Sequence, residues 1–420
     1  MSKQKFQAHL GMSDILPGES SAWLRVEKII RETAREFHFE EIRTPIMEPT
    51  ELIARGVGQL TDIVSKEMFA FERGDDKYVL RPEGTAPVCR AYTEHNLGQR
   101  GGTQKLFYIG PFFRAERPQK GRRRQFHQFG AELMGSADPL ADVEIIHFMM
   151  TVYKKAGIKG TSLKINSVGD PESRKTYKTA LQDYFRPHLD KLSEISKTRF
   201  ESNPMRILDS KEEEDQDLIT GAPKITDYLS ESSKAHYELV KKYLAALDIP
   251  FVEDSRLVRG LDYYTETAFE LVSGDIGSQD ALGGGGRYDL LIEEIGGQPT
   301  PAVGFACGFE RLFLAAEAQG ISFEKEQSAD VYIVTRGDEA RLWALKQLPL
   351  LRSNGLSATM DYAGRSIKAQ MKDANREQAK FAIIVGDSEL ETGQFTLRNM
   401  TESTEEAMAL DELISKITSA

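Results

Sequence analysis

Apolar residues recur at three- and four-residue spacing from Ser20 to His38, where Trp23, Val26, Ile29, Ile30, Ala34 and Phe37 form one stripe and predict an amphipathic helix. Residues 39–47 lose that period and contain Pro45, so they read as an edge strand. Residues 68–71 and 78–81 flank the turn sequence Arg73-Gly74-Asp75-Asp76 and predict an antiparallel hairpin. Pro82-Glu83-Gly84-Thr85 then opens a helix from about Ala86 to Asn96, with Thr85 suited both to capping it and to touching a ligand. Residues 105–110 and 125–133 predict two strands of a long hairpin. Alternation along the second puts Phe126, Gln128, Gly130 and Glu132 on one face, a set that suits a polar pocket better than a dry core.

Helical spacing returns over 142–155, and 163–169 reads as a strand and turn. Residues 170–247 differ in texture: charged, helically spaced, and carrying the run Lys211-Glu212-Glu213-Glu214-Asp215-Gln216-Asp217, which reads as a solvated face. The region is expected to be a helical insertion, its Lys and Arg residues being candidates for phosphate contacts. Strands are expected again at 251–254, 267–272, 281–288 and 302–308, followed by a helix from about Phe309. The four glycines 283–286 suggest a substrate lying against the main chain. After a polar linker at 325–329, short apolar runs alternate as β, α, β, α, β over 330–386, the pattern of a mostly parallel, buried sheet.

With 420 residues, two or three domains are expected, and 40% hydrophobic against 28% charged residues describes a globular chain. Only Cys89 and Cys307 are present, too few for a disulfide framework or a Cys-based zinc site, which points to a reducing compartment. No apolar leader or span of about 20 apolar residues occurs, so no membrane partner is expected and the cytoplasm is the expected location. The seven histidines make no His-x-x-x-His pair, so no side-chain metal site is expected. A net charge of −11 argues against nonspecific binding to DNA and leaves room for a local basic face.

That face is present. Arg114, Arg117, Lys120, Arg122, Arg123 and Arg124 surround the single acid Glu116, and guanidinium forks match phosphate oxygens. No Gly-Lys dipeptide exists for a P-loop, and the glycines at 283–286 fail the G-x-G-x-x-G spacing. Nucleotide binding therefore has to rest on arginines and an antiparallel sheet.

The segments Arg81-Pro82-Glu83-Gly84-Thr85, Phe113-Arg114-Ala115-Glu116-Arg117-Pro118 with Gln125-Phe126-His127-Gln128, residues 257–264 (LVRGLDYY) and 304–312 (GFACGFERL) together resemble the histidyl-tRNA synthetases, a class II aminoacyl-tRNA synthetase family. The resemblance spans nearly the whole chain. It implies an α+β catalytic domain on an antiparallel sheet, residues 1–325, interrupted by the helical insertion 170–247, and a C-terminal α/β anticodon-binding domain, 330–420.

It also implies the chemistry: ATP and magnesium, L-histidine and histidine tRNA as partners, and a homodimer built partly by the segment near 40–45. By resemblance, Arg114 and Arg259 are catalytic and grip the α-phosphate, and Arg122 and Arg311 hold the β- and γ-phosphates. Glu116 positions ATP or its magnesium, and Phe126 stacks on adenine. Glu132 and Tyr264 read the imidazole, Glu83, Thr85 and Gln128 take the α-ammonium, Tyr263 completes the wall, and Gly84, Arg114 and Arg259 complete the histidine-binding set. A neutral imidazole has one donor and one acceptor nitrogen, so a carboxylate plus a hydroxyl is a chemically sensible reader. One departure is Glu266, where the family often has a small residue. Strand alternation would aim it with Tyr264 unless the chain bends.

Two rivals are weighed. A regulatory paralogue that binds histidine without catalysis would usually lack both the C-terminal domain and the Arg259 segment, and a class II synthetase for another amino acid should lack the 259–264 segment.

Overall fold

The computed structural model describes residues 6–58, 61, 63–119, 121–258, 261–277, 280–323 and 328–419. The chain divides into two compact units. One combines the described residues up to Ile15 with Leu24–Ser322, and the other combines Leu16–Trp23 with the described residues from Phe323 onward.

Along the chain, α1 (Glu19–Glu36) is followed by β1 (Glu40–Glu41), β2 (Met47–Pro49), α2 (Thr50–Val57), β3 (Phe69–Arg73), β4 (Asp76–Leu80) and α3 (Thr85–Glu94). The long hairpin β5 (Gln104–Phe113) and β6 (Gln125–Met134) leads to α4 (Pro139–Lys155) and β7 (Thr161–Ser167). Four helices follow, α5 (Pro171–Phe185), α6 (Glu194–Ser202), α7 (Glu213–Thr220) and α8 (Glu231–Ala246). The chain then returns through β8 (Phe251–Glu253), β9 (Thr265–Ser273), β10 (Ala281–Arg287), α9 (Leu291–Glu294), β11 (Ala302–Gly308) and α10 (Phe309–Ala318).

Eight of these strands make one sheet in the order β1-β5-β6-β11-β10-β9-β7-β8. It is antiparallel except at its two edges, where β1 runs parallel to β5 and β8 to β7. The segment with Pro45 supplies the edge strand β1, and β2 joins β4 and β3 in a separate three-stranded sheet. One face of β6 is aromatic and apolar: Phe129 meets Phe305 and Phe309 edge-on, at 6.0 and 5.8 Å between ring centroids, and α4 and α10 cover that side. The other face carries the polar positions.

Three of the β10 glycines have a packing role: an added Cβ would strike Cys307 and the backbone of β11 at Gly283 and Gly285, and Tyr264 with the Thr267 carbonyl at Gly286. One sequence reading changes. The acidic run over 211–217 is only partly a solvated face. Asp215 is buried and accepts from the Ser193, Ser196 and Ser210 hydroxyls at 2.8, 2.6 and 2.5 Å, because hydroxyl donors replace the water it loses.

A charged hub ties the sheet to its surroundings. Arg287, at the end of β10, is fully buried and its guanidinium donates to both oxygens of the buried Asp142 on α4, to Asp289 Oδ1 at 3.1 Å, and to the carbonyls of Ser136 and Asp138. His236 Nε2 on α8 lies 3.4 Å from Asp142 Oδ1. Burial would raise the Asp142 carboxyl, but the Arg287 charge and these hydrogen bonds outweigh it and hold it below the usual carboxylate range.

In the second unit, β12 (Val331–Thr335), α11 (Asp338–Ser353), β13 (Ala358–Met360), α12 (Ile367–Arg376) and β14 (Phe381–Val385) give the expected parallel core. The chain then adds α13 (Asp387–Thr392), an antiparallel pair β15 (Phe395–Asn399) and β16 (Thr404–Met408), and α14 (Leu410–Ser419).

Removing one partner of a buried pair strands the other charge, so Asp142→Ala is expected to cost about 3–5 kcal/mol in denaturant unfolding. Lys28→Ala, which breaks the exposed pair with Glu32 (3.8 Å), should cost under about 1 kcal/mol in the same measurement.

Candidate functional site

The polar face of β6 meets the start of α3. Gly84, not Thr85, occupies the helix N-cap, and Thr85 is the first helical residue. The cap is supplied from behind: the Glu83 carboxylate accepts from the backbone N–H groups of Thr85 (2.7 Å) and Ala86 (2.8 Å), satisfying two donors that helix geometry leaves open. The Thr85 hydroxyl is thereby released to donate to Glu132 Oε1 at 2.9 Å, and the Tyr288 hydroxyl donates to Glu132 Oε2 at 2.6 Å.

Glu132 has no solvent exposure, in the middle of the sheet. Burial pushes its carboxyl up to about 8, against the pull of the Tyr288 and Thr85 hydroxyls, with the Glu83 charge adding to the rise. Glu83 is likewise raised by burial, offset in part by the two backbone donors. Room for the Glu132 side chain comes from its cross-strand partner Gly304, where an added Cβ would collide with the carboxylate.

Tyr108 stands over Gly84 and Gly130, either of which would strike its ring or hydroxyl if it carried a Cβ. Its hydroxyl and Gln128 Oε1 are buried with no hydrogen-bond partner among the described residues. Buried polar atoms normally find partners, so these two unpaired ones, Tyr108 next to Glu132, and Gln128 further along the same strand face, fit a site for a polar ligand. Tyr263 and Tyr264, just before β9, close the other side with ring centroids 4.6 Å apart, and Tyr263 lies 5.7 Å from Tyr288.

The arginines form a second compartment. A cleft of about 620 Å³ is lined by Arg114 at the end of β5, Arg122 in the basic loop and Arg311 on α10. Arg114 Nε donates to the Pro82 carbonyl at 3.0 Å, and its guanidinium lies 5.3 Å from the centroid of the Phe126 ring. Arg122 Nη1 donates to Glu116 Oε2 at 3.0 Å. Arg311 is lowered by burial and by the neighbouring Arg122, the signature of cations crowded together. Arg81, in contrast, is spent on structure, donating to the carbonyls of Pro111 and Thr44 at 3.0 and 2.9 Å.

The structure thus brings Glu83, Gly84, Thr85, Glu132, Tyr263 and Tyr264 into one cluster, with Gln128 on the same strand face as Glu132, and Arg114, Arg122 and Arg311 around one cleft with Phe126 and Glu116 alongside. Arg259 and Lys120 lie outside the described residues. Glu266 settles where its strand goes: it has φ 49°, a β-bulge falls between Thr265 and Ala268, and its carboxylate turns away to accept from Ser233 on α8 at 2.8 Å. Sequence reasoning passed over Tyr108, Tyr288 and Gly304. Tyr288 lies two residues beyond the glycine run 283–286, but Tyr108 and Gly304 matter only through cross-strand register.

The model of the family "Histidyl-tRNA synthetase" matches residues 11–312, and that of the "Anticodon binding domain" matches 330–420. The chain belongs to the histidyl-tRNA synthetase family. It is 49% identical over 405 residues to the histidine–tRNA ligase of Desulforamulus reducens, covering 96% of this chain and 97% of that protein. It is 47% identical over 417 residues to that of Chloroherpeton thalassium, covering 98% of each. The crystal structure of apo Staphylococcus aureus histidyl-tRNA synthetase superposes with a TM-score of 0.84 at 42% identity, covering 99% of this chain and all of the other. These matches agree with the class II fold of a large antiparallel-rich sheet followed by an α/β domain with its own sheet.

The raised Glu132 carboxyl gives a pH prediction. A group whose folded value (about 8) exceeds its ordinary one (4.5) contributes stability below the lower value and loses it as pH rises through the higher. Glu132→Gln removes the titration while keeping an acceptor for a hydroxyl. The variant should therefore gain stability relative to the parent protein as pH rises from 5 to 8, read from denaturant midpoints; parallel curves would show that Glu132 titrates normally.

Proposed function

We infer that the chain is a histidine–tRNA ligase: it activates L-histidine with ATP to histidyl-adenylate, releasing diphosphate, and transfers the histidyl group to the 3′ end of histidine tRNA, releasing AMP. The observation that carries this is Glu132, a carboxylate at zero exposure held by two hydroxyls at the floor of a tyrosine-walled pocket, one strand face from the arginine cleft. Family membership over nearly the whole chain supports it, and the C-terminal match to the anticodon-binding domain weighs against a regulatory paralogue lacking that domain.

In this reading the imidazole N–H donates to Glu132 and the Tyr264 hydroxyl meets the other ring nitrogen. Such a pocket rejects analogues that leave its buried groups unpaired, which removes the need for an editing site. Glu83, Thr85 and Gln128 take the α-ammonium, with the small Gly84 admitting it and Tyr263 closing the wall. The histidine carboxylate oxygen attacks the α-phosphorus of ATP, and Arg114 and Arg259 neutralise the charge gathering on the phosphoryl oxygens while diphosphate leaves. Arg122 and Arg311 hold the β- and γ-phosphates, and the Phe126 ring stacks on adenine.

Magnesium would accompany the triphosphate and neutralise its charge. Glu116, beside Arg122, and Glu270, lining the same cleft, offer the hard oxygen donors that fit it. The terminal ribose hydroxyl of the tRNA then attacks the adenylate carbonyl. A homodimer paired partly through the 40–45 edge and a cytoplasmic location complete the proposal; no described helix is long and apolar enough to cross a membrane.

Exchange of labelled diphosphate into ATP, run with each of the twenty amino acids and magnesium, should respond to histidine alone; response to another amino acid, or to none, would overturn the assignment. Arg259→Ala should lower the exchange rate strongly while shifting histidine affinity little, as befits a group acting mainly in the transition state. Equal losses in rate and affinity would place Arg259 in ground-state binding.

A further inference from the structure

The residues that wall the histidine pocket are not held by the sheet alone. Tyr263 and Tyr264 precede β9, and among the described residues of this segment none before Thr265 has a cross-strand partner. Its main-chain carbonyls are taken up by the helical insertion. Arg174 on α5 donates through Nη1 to the Tyr264 carbonyl at 2.9 Å and through Nη2 to the Asp262 carbonyl at 3.4 Å, so one planar guanidinium spans both ends of the two-tyrosine stretch. The Asp262 side chain is held from the same insertion, by Asn203 Nδ2 at 3.3 Å and by Arg206 Nε at 3.5 Å. Beyond the tyrosines, Glu266 is turned into the insertion by its positive φ and bonded by Ser233.

We propose that Arg174 is a positioning residue for the histidine site, through which the helical insertion sets the placement of Tyr263 and Tyr264. The inference rests on the synthetase reading and deepens it: the insertion is a structural arm of the amino-acid pocket. Arg174 reaches the substrate only through main-chain carbonyls, so its loss is a loss of geometry at the imidazole wall. The arginine cleft is lined by Arg114, Arg122 and Arg311 and also by insertion residues such as Arg199 and Arg206, but Arg174 is not part of its lining. A displaced wall should therefore weaken histidine use selectively and leave ATP use intact. Lysine at 174 can reach one carbonyl but cannot fork across two.

The test is diphosphate exchange on the full-length protein with Arg174→Ala, Arg174→Lys and a control, Lys178→Ala, which removes only a bond internal to the insertion, from Lys178 Nζ to the Ser202 carbonyl at 3.3 Å. The expected result is a histidine KM raised roughly tenfold or more in R174A, the scale of one lost charge-assisted hydrogen bond, with a smaller rise in R174K. The ATP KM should be unchanged in both, and K178A should match the parent protein. If R174A does not fold, R174K carries the test. An unchanged histidine KM in R174K and R174A, a parallel rise in the ATP KM, or an equal effect of K178A would each overturn the proposal, since a merely structural residue lowers the active fraction without separating the two substrates. A parent protein with no histidine-dependent exchange would overturn the synthetase reading and this inference together, whereas an active parent with unaffected Arg174 variants overturns this inference alone.

Discussion

A carboxylate without solvent at the centre of an eight-stranded sheet sets the terms for the rest of the catalytic unit. Burying an ionisable group costs several kcal/mol unless its oxygens find donors. For Glu132 those donors are Thr85, on the first turn of α3, and Tyr288, after β10. The space is opened by Gly304 on the neighbouring strand. Thr85 can serve Glu132 because Glu83 has taken over the capping of α3, so a helix start, two strands and a turn are fixed by one acid. Burial raises the Glu132 carboxyl against the pull of these two hydroxyls.

Two electrostatic problems are kept apart. On the pocket side, the carboxyls of Glu83 and Glu132 are met by hydroxyls and backbone N–H groups; on the cleft side, Arg114, Arg122 and Arg311 line one cavity, and Arg311 is lowered by burial and by the neighbouring Arg122. Phosphate chemistry needs that crowding, because developing charge on equatorial oxygens is best met by cations already in place. The hairpin β5–β6 contributes to both: its strands reach into the pocket and its loop carries Arg114 and Arg122, while Arg311 comes from α10. Arg81, which resembles its neighbours in sequence, is withdrawn from this set by three backbone and hydroxyl acceptors that make it a clamp.

The insertion 171–246 is joined to the sheet through polar contacts at specific points, not by a broad apolar seam alone. Arg174 and Ser233 meet the segment from 262 to 266, and His236 meets the Asp142–Arg287 hub that anchors β10 to α4. The Arg174 bonds end on main-chain carbonyls and are directional, so they fix the backbone of the segment they hold.

Much of this was legible along the chain. Period fixed α1, the β5–β6 hairpin and the alternation of α and β in the second unit, because one-face burial writes itself into spacing. The motifs around Glu83, Arg114, 257–264 and Arg311 carried the family and its chemistry, since chemistry requires particular side chains. What the chain could not disclose depended on register and on contacts distant in sequence. Gly283, Gly285 and Gly286 of β10 also make room for Cys307, β11 and Tyr264, which no local pattern announces. Asp215 looked solvated and is caged by serines, and Glu266 looked misdirected until a left-handed residue and a bulge turned it to Ser233. The sequence by itself determined the elements and the reagents, because those follow from local period and residue type. Only the tertiary structure decided which of them meet, because a one-residue difference in register reverses every side chain of a strand and no local pattern records the partner across it.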